Sequence, residues 1–278
     1  MIYKRYGKIF KKLRVQKGIK LVDFEKIGIS KSTLGKFERG ETMIAFDKLV
    51  LSLGVLSVTL GEYEGFLNNF EADIHEVLLK KIDEARILNQ SENLVELYKS
   101  AQELSEFPLA LAIKNEYDPL TGNDLEGLVN YLETISLWRM IDLYTFYLVL
   151  DSLTTREISY ILDQFLIDKH IIFNSENSRI RFAHVAYYRA ISLLISRGNK
   201  ERSHHILRYI ESNDFKHNMY TNNLRNLVEG YWISEFDDYA KGLKQMKDAL
   251  KIFHDLSDFD VSQYYQRMYK IFSERRGN

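Results

Sequence analysis

No cysteine occurs among the 278 residues. Disulfides, thiolate metal sites and thiol redox chemistry are thereby excluded, in keeping with a reducing compartment. Proline is almost missing as well, with only Pro108 and Pro119 present. Helix interiors reject proline, so its scarcity leaves long helices free to form. No apolar run approaches the ~20 residues that a membrane-spanning helix needs. The basic N-terminus has its apolar residues spaced rather than contiguous, unlike a signal peptide. We therefore expect a cytoplasmic protein with no membrane partner.

Enzyme motifs are lacking too. The seven histidines, at 75, 170, 184, 204, 205, 217 and 254, form neither HExxH nor an i,i+4 metal pair. GxGxxG, P-loop and GxSxG patterns are absent. Adjacent Asp237 and Asp238 sit in a turn, where helix capping accounts for them. These gaps point away from an enzyme, and no cofactor or metal is expected.

What is present is apolar, aromatic and unevenly charged. Hydrophobic residues make up 45% of the chain, including 18 Tyr and 16 Phe, enough for a substantial core. The formal net charge of −1 hides +9 on residues 1–40 and −10 on the remainder. A cationic head on an anionic body suits a small nucleic-acid-binding domain joined to something else. A solvated basic face is the alternative.

Apolar periodicity predicts five short helices in the first 65 residues: 6–17, 21–27, a third from Ser30 to Arg39, 45–53, and one from Thr59. Gly18, Gly40 and Gly54 follow three of them, and Ser30 is a good N-cap. Short helices with tight glycine turns outline a helix-turn-helix domain. Beyond it the helices lengthen, over 66–89, 91–116, 124–150, 154–173, 179–197, 200–212, 216–234, 239–256 and 261–274. From Trp138 onward, helix pairs recur near every 40 residues, which predicts degenerate tetratricopeptide-like hairpins in a superhelical stack. An irregular helical bundle is the competing arrangement. The fold class is all-α, with domains at 1–65 and 66–278.

The stretch SKSTLGKFERGE, Ser30 to Glu41, carries the densest signal. Leu34 and Phe37 point inward, while Lys31, Ser32 and Lys36 point outward, where a recognition helix meets base edges. Ser30, Arg39 and Lys20 are placed for phosphates, which set register without reading sequence. Gly35 leaves room for close approach to a duplex. Glu38 has the wrong sign for DNA; in the helix-turn-helix motif that this stretch resembles, a Glu here pairs with an Arg on the first helix, which implies a structural ion pair with Arg14, a direct DNA contact being the alternative.

The run from Tyr6 to Val55 resembles an XRE-type helix-turn-helix. With its long helical tail, the whole chain resembles the Rgg (also MutR or GadR) family of regulators. That resemblance implies a dimeric transcription regulator that binds a double-stranded DNA operator and senses a short hydrophobic peptide in its helical repeat domain. Some relatives carry a cysteine near the position of Phe46 that cross-links the DNA-binding domains; here the homodimer must be non-covalent. Leu21 stands where such domains often place a polar phosphate contact. Candidate groove residues for the peptide, on the first helix of each hairpin, are Arg139, Tyr144, Arg181, His184, Tyr188, Asn223 and Asn226. A constitutive DNA binder whose tail is only a dimerisation or protein-interaction scaffold is the alternative.

Overall fold

The structure, a computed structural model, describes residues 3–88, 90–167, 178–212 and 218–274. It is helical throughout these residues and divides into two compact units, Met1–Asp73 and Ile74–Asn278.

The first unit contains α1 (Tyr3–Gln16), a 3-10 helix (Leu21–Ile27), α2 (Lys31–Arg39), α3 (Phe46–Val55) and α4 (Leu60–Asn68). Its core is Phe10, Phe24, Ile29, Leu34, Phe37, Leu53, Leu56 and Tyr63. Phe10 sits at the centre, with ring centroids 5.8 Å from Phe24 and 5.6 Å from Phe37. These contacts lock α1, the 3-10 helix and α2 into one body. The backbones of α1 and α2 approach so closely that a Cβ on Gly7 would lie 1.8 Å from the Phe37 carbonyl oxygen. Only glycine fits there.

Three long helices expected from periodicity are broken. The 66–89 helix ends at Asn68, because Asn69 and Phe70 both take left-handed φ, 53° and 54°. Asn tolerates that region, and the Phe70 N–H caps the Gly65 carbonyl at 2.8 Å. The 91–116 helix splits into α6 (Leu94–Glu103) and α7 (Phe107–Asn115). Pro108 stands in the first turn of α7, where its missing N–H costs nothing. The 124–150 helix splits into α8 (Gly122–Thr134) and α9 (Met140–Val149). There the Asp142 carboxylate accepts the Arg139 backbone N–H at 2.8 Å, capping a new helix, while Trp138 buries itself beside Phe146.

The second unit begins with α5 (Ile74–Ile87) and continues past α9 with α10 (Thr155–Ile167), α11 (Ser178–Ser196), α12 (Lys200–Ser212), α13 (Met219–Phe236), α14 (Tyr239–Leu256) and α15 (Phe259–Glu274). Helices α7, α9, α11 and α13 pack in sequence as an inner row, and α8, α10, α12 and α14 return on the outside. This is a stack of helix hairpins. Every residue of α9 from Ile141 to Val149 is buried, so it lacks the polar face that periodicity looks for. The α13/α14 hairpin is another close crossing. A Cβ on Gly242 would lie 2.2 Å from the Ser234 nitrogen and 2.5 Å from the Gly230 oxygen.

Candidate functional site

Helix α2 is built to present one face. Ser30 Oγ accepts the Thr33 N–H at 3.1 Å and starts the helix. Leu34 and Phe37 are fully buried, which forces the opposite side outward. Lys31, Ser32, Lys36 and Arg39 are all exposed, as are Ser30 and Lys20. The structure therefore brings the six expected DNA-facing residues to the surface of one small unit.

Glu38 is on the buried side, with its side chain 4% exposed. Arg14 Nε donates to its Oε1 at 2.5 Å and Nη2 to its Oε2 at 2.9 Å, a two-pronged pair. Arg14 Nη1 also donates to the Ile19 carbonyl at 2.7 Å, fastening α1 to the turn that follows it. The hydrogen bond to Glu38 outweighs burial and raises the Arg14 pKa, so the guanidinium stays charged.

Two details differ from expectation. Gly35 is buried, and an added Cβ would meet Arg39 Nη1 at 3.3 Å and Leu21 Cδ1 at 3.9 Å. Its small size serves packing beneath those side chains. Arg39 is already engaged: its Nε and Nη2 donate to the Glu41 carboxylate at 2.5 and 3.0 Å, with the two side chains 58% and 49% exposed. Any anion competes with Glu41 for those two donors.

The second unit holds a cavity of about 1120 Å³ between α5, α9 and α15. That exceeds the ~300–1,000 Å³ of typical small-ligand sites. Arg139 lies at its rim, 54% exposed, and is held by Asp142 at 2.9 Å and Glu106 at 3.1 Å. The Tyr131 hydroxyl donates to Asp142 at 2.6 Å and completes the cluster. His75 Nε2 stands 3.8 Å from Glu106. Deeper in, the Tyr144 hydroxyl donates to Asp83, and the Tyr147 and Tyr264 hydroxyls bond each other. Tyr220 and Tyr265 do the same at 2.5 Å. Burial holds the Tyr147 and Tyr265 phenols well above their ordinary pKa, so they stay protonated.

Of the groove candidates, the structure brings Arg139 and Tyr144 together in this cavity. Tyr188 is fully buried and lines a smaller space of about 40 Å³, room for little more than water, which shares Tyr147, Tyr264 and Tyr265 with the large cavity. Asn223 is buried, and its Nδ2 donates to the Ala249 carbonyl at 2.9 Å, tying α13 to α14. Asn226 lies with it along a third depression beside Lys241 and Lys244. Tyr188, Asn223 and Asn226 thus do not line the large cavity. Arg181 and His184 have side chains outside the described residues. Asp83 and Arg86, spaced i,i+3 on the cavity side of α5, were not among the candidates, because the helix expected there precedes the first recognised hairpin.

Residues 10–63 match the family described as Helix-turn-helix. The Streptococcus dysgalactiae SHP pheromone receptor Rgg2 superposes with a TM-score of 0.76 at 19% identity, covering 95% of this chain and 98% of that one. The chain has the Rgg fold. A protein from Listeria monocytogenes EGD-e aligns at TM-score 0.77 and 15% identity over 99% of both chains. PrgX in complex with cCF10 aligns at 0.66 and 15% identity, over 98% of this chain and 93% of that one. The Rgg fold thus spans both units, with a helix-turn-helix unit followed by stacked hairpins.

Proposed function

We propose that the protein is a transcription regulator that binds duplex DNA through residues 1–73 and is controlled by a short apolar peptide held in residues 74–278. It acts in the cytoplasm as a non-covalent homodimer. Lys31, Ser32 and Lys36 reach base edges, and Ser30, Lys20 and Arg39 meet phosphates. The observation that carries this reading is the pairing, in one chain, of a helix-turn-helix whose α2 exposes only polar and cationic side chains with a cavity of about 1120 Å³ in an Rgg fold. Tyrosine hydroxyls and the Arg139 cluster supply the polar groups that a peptide backbone needs, and Leu79, Ile141 and Val261 supply apolar wall.

The test has two steps. Duplexes selected from a random pool should bind with strong salt dependence; neutralising ~6–10 phosphates lowers affinity ~10³–10⁵-fold between 50 and 200 mM salt. A flat response would sink the DNA assignment. Apolar peptides of six to ten residues are then titrated against the selected duplex. An affinity that no peptide changes would leave a constitutive DNA binder with a dimerising tail. Moving a two-state equilibrium from 1:99 to 99:1 takes ~5.5 kcal/mol of preference, which a peptide filling a cavity of this size is able to supply.

A further inference from the structure

Arg86 is a buried cation at the more buried end of the cavity. Its side chain is only 14% exposed, against 54% for Arg139 at the rim. The guanidinium lies over the Tyr147 ring, 4.2 Å from the centroid. Its carboxylate neighbour within ion-pair range, among the described residues, is Glu116, at 3.5 Å from Nη1, too far for a hydrogen bond. Among the described residues Arg86 Nη1 has no hydrogen-bond partner. A buried guanidinium normally satisfies its five donors, and a donor left unmet is costly. The Tyr147–Tyr264 hydroxyl pair stands at the same end. One hydroxyl proton lies between the two oxygens, and the other belongs to whichever phenol accepts.

We propose that this end of the cavity is a carboxylate subsite, in which Arg86 and the Tyr147–Tyr264 pair receive the C-terminal carboxylate of the peptide, so that the peptide enters C-terminus first. The proposal rests on the peptide reading above. The carboxylate has the charge and the planar, two-oxygen shape that a guanidinium fork recognises. Glu116 does not already fill that role: burial raises its pKa more than Arg86 lowers it, the mark of an incompletely matched pair. Asp83, one turn earlier on α5, also faces the cavity. It is an acceptor, so it suits a backbone N–H of the entering peptide and opposes a second carboxylate at that level. The order of groups along α5, acceptor and then cation towards the more buried end, matches the order in a peptide's last residues, amide N–H and then carboxylate.

The experiment uses the full chain and three pools of N-acetylated octapeptides of Leu, Ile, Val, Phe and Gly: free acids, C-terminal carboxamides, and carboxamides carrying one internal Glu. Affinity is read from the concentration dependence of the thermal shift. Free acids should bind about 10–100-fold more tightly than plain carboxamides, the size of a hydrogen-bonded charge. Arg86→Lys, which keeps the charge and loses the fork, should collapse that gap. If Arg86→Lys does not fold, Tyr264→Phe serves instead, and should narrow the gap. Tight binding by the Glu pool, lost in the same variants, would retain the carboxylate subsite and overturn the C-terminal orientation. Equal binding of acids and carboxamides, or a gap unchanged in both variants, overturns the subsite and leaves the peptide reading intact. If no pool binds, the peptide reading fails and takes this proposal with it.

Discussion

Arg14→Ala is the sharpest test of how the first unit holds its shape. The substitution removes two hydrogen bonds to Glu38 and one to the Ile19 carbonyl. It strands the Glu38 carboxylate, 4% exposed, without a counter-charge. Breaking a buried pair by deleting one partner costs ~3–5 kcal/mol. The Arg14 side chain is 12% exposed, so some water reaches the vacated site, and the lower end of that range applies. A unit of this size is stable by only ~4–11 kcal/mol, so a loss near 3 kcal/mol removes a large share. Its melting should fall on the order of 10–20 °C. Hydrogen exchange in the intact chain is the assay, because the slowest amides of α1 and α2 report opening of the whole unit. The double variant Arg14→Met/Glu38→Leu should recover most of the protection, since apolar replacement of both partners is near neutral. Should Arg14→Ala leave exchange within about 0.5 kcal/mol of wild type while abolishing duplex binding, the pair is a DNA contact and the structural account is refuted.

Three further outcomes are expected. Lys36→Ala should cost about 1–3 kcal/mol at one base position with no change in melting, as measured on single-base variants of a selected duplex. Glu41→Gln frees Arg39 and should strengthen binding to all duplexes alike, steepening the log–log salt slope by up to about one; an unchanged slope would show that Arg39 stays off the phosphates. Gly242→Ala must push apart the α13/α14 crossing, where its Cβ would sit 2.2 Å from the Ser234 nitrogen. We expect the tail to lose several degrees in a calorimetric melt or to fail to fold, while Gly54→Ala, whose Cβ meets nothing within 4 Å, is tolerated.

The first unit was largely legible because its signals are local. Ser30 caps a helix whose inward and outward positions alternate over nine residues, and the Arg14–Glu38 pair follows from the resemblance to helix-turn-helix domains, which names the partner that charge sign alone would leave open. The tail was less legible because its decisive events are not periodic. Asn69 and Phe70 turn the chain through left-handed φ with no glycine or proline to announce it. The break before α9 depends on Trp138 finding a place beside Phe146, which is a tertiary event. Tyrosines mislead most. Tyr144 and Tyr188 look alike in sequence, yet one reaches the large cavity and the other is core. Membership of the cavity is decided by α5 and α15, which lie at opposite ends of the second unit's sequence and share no motif.

Those two helices meet. Arg267 on α15 donates through Nη2 to the Ile87 carbonyl at the end of α5, 2.5 Å away across 180 residues of chain. A stack of repeats with free ends behaves as a chain of links, able to fray from either end and to nucleate anywhere. Joining first to last makes it a hoop. Neither terminal helix has an outer face to lose independently, and any repeat that unfolds loosens the clasp as well. The closure also requires the longest loop in the unit, so it forms late and slowly. The hoop should then melt in one transition, and removing residues 259–278 should cost α5 its order, though α5 was the first helix of the unit to leave the ribosome.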